Sequence, residues 1–428
     1  MNVVIIRNYQ AFVVRLQELD LLEVFSLKPL IDGKALTKVL QASPGPWMKE
    51  ALDVVMAWQL RNPDTATSDG AIEEVRNSKL HGELTANLVS HFLRLTIRPL
   101  FAKSQHPAVT KQGRKVTTNV LPRKFEHEEA EEVAKPWKHR DAYALDLLRW
   151  ILHNIDERLL EQNWPMLIPP LLSITDDYDT KMKAQGCQMV ESLMQKTPAP
   201  LLARTGLGEV FKEALLPCLG YLPTLTPEDE SVTLLSAVYP ALLALSRSAY
   251  HPSSDPRTVS ERSKEMRIEF LDSVMRKGIL AAYAHCPENV RIVEVLLQSL
   301  RSLLDEMGID SVKHLKYILP MLSQVLTNPF SSLHSSSLLA GIKAMQSVIL
   351  NGWPRMTANR AEVLKTLTLC WLQCEDSSAM NMDQIKGELT ITVQMLRQAT
   401  EDNCDFDADV EALVAADNRL GSLFKSRL

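Results

Sequence analysis

The sequence predicts an all-α protein: a HEAT-like α-solenoid, a right-handed stack of helical hairpins, preceded by a small helical N-terminal segment. Three observations carry this reading. Apolar residues recur every three or four positions in nearly every ordered stretch, and no alternating Val, Ile or Thr run bounded by turn pairs marks a strand. Glycine is scarce, at 15 of 428 residues, about half its usual share of roughly 7%. That leaves little material for phosphate-cradling loops or the tight turns of a many-stranded sheet. Finally, prolines recur inside apolar runs, a device common in the first helix of HEAT-type hairpins. A compact helical bundle shares the first two features; the third favours the stack.

Taken in order, Tyr9, Phe12, Val13, Leu16, Leu19 and Leu22 lie on one helical face. From Trp47 to Leu60 the apolar face is Trp47, Ala51, Val54, Val55 and Trp58, opened by Ser43-Pro44-Gly45-Pro46 and closed by Asn62-Pro63. Residues 102–140 resist helix assignment. They hold Pro107, Pro122 and Pro136, a basic stretch (Lys103, Lys111, Arg114, Lys115, Arg123, Lys124) and an acidic one (Glu126, Glu128, Glu129, Glu131, Glu132). The basic stretch alone would suggest nucleic-acid or nuclear-import contacts; two halves that neutralise each other read better as a solvated loop.

From about Tyr143 helices alternate with short Pro- or Gly-marked breaks. The proline device appears at Pro169-Pro170, Pro217, Pro240 and Pro320, and its uneven spacing fits a 40–47-residue period only in part. Thr226-Pro227-Glu228-Asp229 predicts a helix start, with Thr226 as cap, Pro227 in the first helical position and two acids at the positive end. The following Val232–Leu245 stretch is apolar all round and must be buried on several faces. Residues 247–262 read as a long loop. Val290, Val293, Leu297, Leu300 and Leu304 form the next stripe, leaving Arg291, Glu294 and Arg301 for solvent.

Net charge is −5 and the six cysteines are spread singly, which argues against a nucleic-acid-binding surface at the level of the whole chain and against a disulfide framework. No apolar run approaches the roughly 18 residues of a membrane span. The expectation is a soluble protein of a reducing compartment, cytoplasmic and nuclear, with no membrane partner.

Candidate sites weaken when spacing is tested, and the chain reads as no enzyme, with no catalytic residues, cofactor or metal assigned. Thr205-Gly206-Leu207-Gly208 is half a dinucleotide fingerprint, but position 211 is Phe and no strand precedes it, so Gly206 reads as a helix end. Asp405, Asp407 and Asp409 begin like a calcium loop, yet Val410 and Ala416 occupy the positions that need Gly and an acid; the acids read as a helix start. Cys370 and Cys374 share a helix face but lack partners to complete a metal tetrahedron, which favours burial. Asp176-Asp177-Tyr178-Asp179 could hold Mg²⁺ as paired carboxylates; between two helices it reads better as a cap.

Two resemblances divide the chain. Leu27-Lys28-Pro29-Leu30-Ile31-Asp32-Gly33-Lys34-Ala35-Leu36, Pro44-Gly45-Pro46-Trp47 and Trp58-Gln59-Leu60-Arg61-Asn62-Pro63 resemble the C-terminal region of fungal CCA-adding tRNA nucleotidyltransferases, over residues 1–80. That family's catalytic head, with its GGxVRD-like loop and metal-binding acids, has no counterpart in these residues. What the resemblance implies is a helical element related to tRNA binding, although nine Lys/Arg against ten Asp/Glu in 1–80 give no cation excess for backbone-driven RNA affinity. An enzyme tail joined to other sequence near Ser78–Gly82 is also what two neighbouring genes merged in one reading frame would give.

The remainder, about 81–428, resembles the Tel-two-interacting protein two family. The match is carried by Ile97-Arg98-Pro99-Leu100-Phe101, Tyr143-Ala144-Leu145-Asp146-Leu147-Leu148-Arg149-Trp150, Arg204-Thr205-Gly206-Leu207-Gly208-Glu209-Val210-Phe211 and Tyr221-Leu222-Pro223. The domain organisation expected is a helix-then-charged-linker segment over 81–140 and a helical repeat domain over 141–428, which the resemblance makes HEAT-like. The resemblance also implies a non-catalytic scaffold subunit of the TTT co-chaperone complex. The partners implied are two other large helical-repeat subunits and the ninety-kilodalton heat-shock chaperone, with phosphatidylinositol-3-kinase-related kinases as clients. The partner-binding surface is expected in the C-terminal half, 260–428. At about 42 residues per hairpin the array has room for about eight units. The alternative reading is an RNA-binding protein related to tRNA 3'-end CCA addition that lacks its own catalytic head.

Overall fold

The computed structural model describes residues 28–39, 47–62, 67–102, 108–110, 112–116, 135–250, 261–330, 334–377, 382–400 and 406–424. The helix expected over Tyr9–Leu22, the opener Ser43–Pro46, most of the charged stretch of 102–140, Asp405 and residues 251–260 lie outside them. Among the described residues there is no strand; an isolated bridge joins Val109 and Lys115. The chain divides into two compact units, Met1–His91 and Phe92–Leu428.

In the first unit, α1 (Gly33–Val39), α2 (Trp47–Arg61) and the start of α3 (Ser68–Phe92) enclose a small core of Ile31, Leu36, Ala51, Val55, Ala71 and Val75. Asp32 caps α1 by accepting from Ala35 N at 2.7 Å. Gln59, almost fully buried, accepts from Leu30 N at 3.1 Å and donates to Lys28 O at 3.2 Å, tying the lead-in to α2. Of the described residues that carry the nucleotidyltransferase resemblance, Asp32 is a helix cap, Ile31 and Leu36 are core, and Leu30 and Leu60 are exposed. The helical backbone of α3 runs unbroken through Ser78–Gly82.

The second unit opens with a π-turn (Leu93–Ile97) and its short helical extension to Leu100. There Phe101 stacks on Trp137 with ring centroids 5.0 Å apart. α4 (Tyr143–Asn154) leads into α5 (Glu157–Thr175), α6 (Thr180–Lys196), α7 (Ala199–Thr205), α8 (Leu207–Leu215) and α9 (Glu228–Ala249). Then follow α10 (Glu261–Val274), α11 (Ala281–His285), α12 (Val290–Met307), α13 (Leu315–Leu326), α14 (Ser335–Asn351), α15 (Met356–Asp376), α16 (Met382–Thr400), α17 (Phe406–Ala416) and α18 (Gly421–Phe424).

The packing makes this unit a helical-repeat array. Hairpins α5/α6, α8/α9, α10–α11/α12, α13/α14 and α15/α16 stack so that α6, α9, α12, α14 and α16 form one layer, each packed on the next. These five helices begin at intervals of about 45 to 60 residues. Among the described residues there are five such hairpins where length arithmetic allowed about eight units, because the connecting segments and turns lie outside the hairpins. The layer's helices run parallel, as their end-to-end bonds show. At their N-terminal ends Thr180 Oγ1 donates to Glu230 at 2.5 Å, Arg291 pairs with Asp229, and Ser336 Oγ donates to Glu294 at 2.8 Å. At their C-terminal ends Arg247 pairs with Glu306 at 2.5 Å and Asn351 donates to Asp305 at 3.2 Å.

The stripe expected in α12 lies on its buried face, with Val290 half-buried at its start. In α12, Val293, Leu297, Leu300 and Leu304 are buried. α9 is long and apolar enough by composition to cross a membrane, and here it is packed between α6 and α12 as a core helix. The proline spacing is uneven for a visible reason. Pro165, Pro169 and Pro170 lie in α5 and Pro320 in α13, both first helices of hairpins; Pro240 lies in α9, a second helix. Pro217 lies in the 3-10 turn Leu216–Gly220 after α8.

One boundary moves. Pro227 holds an extended conformation and takes the cap position of α9 itself, with Ser231 N donating to its carbonyl at 2.9 Å. Thr226, expected as the cap, instead donates its backbone N–H to Leu222 O. The acids Glu228, Asp229 and Glu230 occupy the first turn, where the positive helix end favours them.

Candidate partner-binding groove

Each motif singled out from sequence has a place in this framework. Gly206 has φ 68°, terminates α7 and donates its N–H to Leu202 O at 2.9 Å, so that donor is not presented to a phosphate. Asp407 and Asp409 sit in the first turn of α17, paired with Arg397 at 2.6 Å and Arg360 at 2.7 Å. Cys370 and Cys374 are buried on one face of α15. The Cys370 thiol is pushed up by its hydrogen bond to Cys374 and by burial, as expected of thiols held as small apolar groups.

The Asp176–Asp179 cluster splits. Asp179 caps α6, accepting from Lys181 N at 2.8 Å. Asp177 does something that periodicity does not reveal: it is 2% exposed and receives Lys135 Nζ and Lys138 Nζ, each at 2.8 Å. Burial pushes its carboxyl up, but hydrogen bonds from the two lysines outweigh this and hold it below its ordinary value. Two ammonium groups in direct contact are the opposite of what a cation site needs. Lys138 also lies over the Tyr178 ring, 3.8 Å from its centroid. Among the described residues no group of three or more His, Cys, Asp or Glu could hold a metal.

A groove of about 180 Å³ lies between the third and fourth hairpins of the second unit. It is built where α11 turns into α12 and α13 turns into α14. Tyr283, Val290, Val293, Val325, Phe330 and Leu338 provide its apolar lining, with Glu288 and His334 at the polar margin. Tyr283 Oη donates to Gln324 Oε1 at 3.1 Å, bridging the two hairpins. Burial, reinforced by the Glu288 carboxylate, pushes the Tyr283 phenol up and keeps it a donor.

Phe330 is the unusual member. It is 70% exposed, presented by a short turn in which its own N–H donates to Asn328 Oδ1 at 2.9 Å. A cavity of roughly 150 Å³ holds a benzene ring, so the groove has room for one aromatic or branched aliphatic side chain. Chemically the arrangement can bind and orient a polypeptide side chain.

Comparison with known proteins finds two kinds of relative, and the longer match begins inside the first unit. Residues 57–333 match the model of the Tti2 family. TELO2-interacting protein 2 of Mus musculus is 24% identical over 288 residues, covering 65% of this chain and 51% of that protein. A nucleotidyltransferase, lcsQ, of Purpureocillium lilacinum is 48% identical over 71 residues, 17% of this chain and 12% of the enzyme. The mitochondrial CCA tRNA nucleotidyltransferase of Saccharomyces cerevisiae is 34% identical over 70 residues, 16% of this chain and 13% of the enzyme. The chain thus spans about half the length of the first and about an eighth of the other two. No solved structure matches it.

Proposed function

This chain belongs to the Tti2 family, and from that premise we propose that it is a non-catalytic scaffold subunit of the TTT complex. In this reading it joins two other large helical-repeat subunits and works with the ninety-kilodalton heat-shock chaperone, in the cytoplasm and nucleus. The clients are phosphatidylinositol-3-kinase-related kinases, whose maturation and stability the assembly supports. The observation that carries the proposal is the family match spread across a helical-repeat array whose grooved surface is suited to polypeptide rather than to a small substrate. A solenoid offers a long pre-formed surface in which a few buried anchors supply most of the binding energy.

The experiment is co-expression of the full chain, tagged, with the two partner subunits of its own organism. Recovery of all three in fixed proportion supports the proposal, together with falling kinase levels when the chain is depleted. A chain that captures neither partner overturns it.

A second reading rests on the short N-terminal nucleotidyltransferase matches. It makes the first unit an RNA-binding element whose catalytic half resides on another polypeptide. That reading requires tRNA binding that weakens steeply with salt; no binding at low salt ends it. Full-length transcript reads crossing the codons for residues 70–90 test whether both units belong to one message.

A further inference from the structure

We infer that the groove between the third and fourth hairpins receives a basic segment of a partner subunit, anchored by one large apolar side chain. This rests on the scaffold reading and adds the chemistry of the segment and its seat.

The anchor follows from size and lining. The space is about 180 Å³ and its walls are Tyr283, Val290, Val293, Val325 and Leu338, with Phe330 standing 70% exposed at the margin. An isolated exposed apolar residue is ordinary. A largely exposed phenylalanine bordering an apolar recess is a ready platform for a second ring or aliphatic chain.

The basic character follows from charge. The lining contains Glu288 and neither Lys nor Arg. The surrounding N-terminal ends of the parallel layer add Glu228, Asp229 and Glu230 at the start of α9, and Glu294 in α12. Arg291 pairs with Asp229, so that pair adds no net charge, and the surplus acids are Glu228, Glu230, Glu288 and Glu294. His334, also on the margin, adds a positive charge only when protonated. Each helix N-terminus contributes about half a positive charge, so the ends of α12 and α14 offset only part of this acidity. The field at the groove mouth therefore favours Lys or Arg flanking the anchor and steers such a segment on approach.

The test uses the full chain carrying p-benzoylphenylalanine in place of Phe330, co-expressed with both partner subunits, irradiated and mapped by mass spectrometry. The expected product joins position 330 to a peptide of a partner subunit that carries surplus Lys or Arg around a large apolar residue. A crosslink to an acidic partner peptide, to a second copy of this chain or to its own segments overturns the inference. So does an assembled complex with no crosslink at this position. If no complex assembles, the scaffold reading falls and takes this inference with it, whereas an assembled complex with the wrong crosslink leaves that reading intact.

A second measurement compares Phe330→Ala and Glu288→Lys for affinity toward the partners. Both side chains are exposed or marginal to the groove, so unchanged melting temperatures serve as the folding control. Weakening of about tenfold or more for each is expected, corresponding to the loss of one anchor. Wild-type affinity in both variants overturns the inference.

Discussion

At Asp177 two lysines from one short segment converge on a carboxylate that solvent barely reaches, fastening residues 135–138 to the turn between α5 and α6. Removing one partner of a buried pair leaves charge uncompensated, which costs about 3–5 kcal/mol in general. Lys135 keeps a quarter of its side chain in solvent, which places Asp177→Ala near the low end, about 3 kcal/mol. Thermal unfolding should show it as a melting point lowered by several degrees.

The sign of the pH dependence follows from the direction of the shift. The folded carboxyl titrates below its ordinary value of 3.8. Its contribution is therefore full above that value and is lost as the pH falls through the folded pKa. The stability gap between wild type and Asp177→Asn should be wide at about pH 7 and shrink progressively as the pH falls below 3.8. A gap that stays constant would contradict the pairing.

Between elements, the α5/α6 hairpin closes through Gly186. A Cβ there would lie 2.7 Å from both the backbone nitrogen and the hydroxyl of Thr175. Gly186→Ala should therefore destabilise by about 1–2 kcal/mol, overpacking of about 1–3 kcal/mol being partly offset by better helix propensity. Gly387 in α16 has nothing within 4 Å of the added carbon. Gly387→Ala should be neutral or stabilising by up to about 1 kcal/mol. Denaturant melts of the two variants measure the contrast directly.

Elements are also the scale at which the sequence was most legible. A stripe such as Val293, Leu297, Leu300 and Leu304 declares both the helix and its buried face, because the period that makes the helix also makes the face. Gly206 was legible as a helix end for a similarly local reason, its positive φ. What was not legible depends on partners far away in sequence. Lys135 and Lys138 meet Asp177 across 42 and 39 residues, and no local pattern encodes that meeting. The groove draws its lining from segments between 283 and 338. Nothing in the composition around Phe330 distinguishes its exposure from the burial of Phe270.

For the whole array, packing between successive hairpins implies that instability remains local. Leu367, fully buried in α15, offers a test. Leu367→Ala should cost about 2–5 kcal/mol through lost burial and the cavity left behind. Amide hydrogen exchange should accelerate in α13 to α16 while α5, α6 and α9 keep their protection. Uniform acceleration throughout the second unit would instead mean that the hairpins unfold as a single cooperative body.

The hairpin-by-hairpin stacking has a further consequence, for how such a chain changes over generations. A substitution at one interface has only the adjoining hairpins to satisfy. An inserted segment between hairpins displaces nothing beyond its own junction, as the uneven helix intervals already illustrate. Lineages can therefore drift in residue identity and in spacer length independently at each step of the array. An identity of 24% with the mouse protein is the degree of divergence that this architecture readily tolerates. Residues held by a charge or an anchor, such as Asp177, are where drift should be slowest.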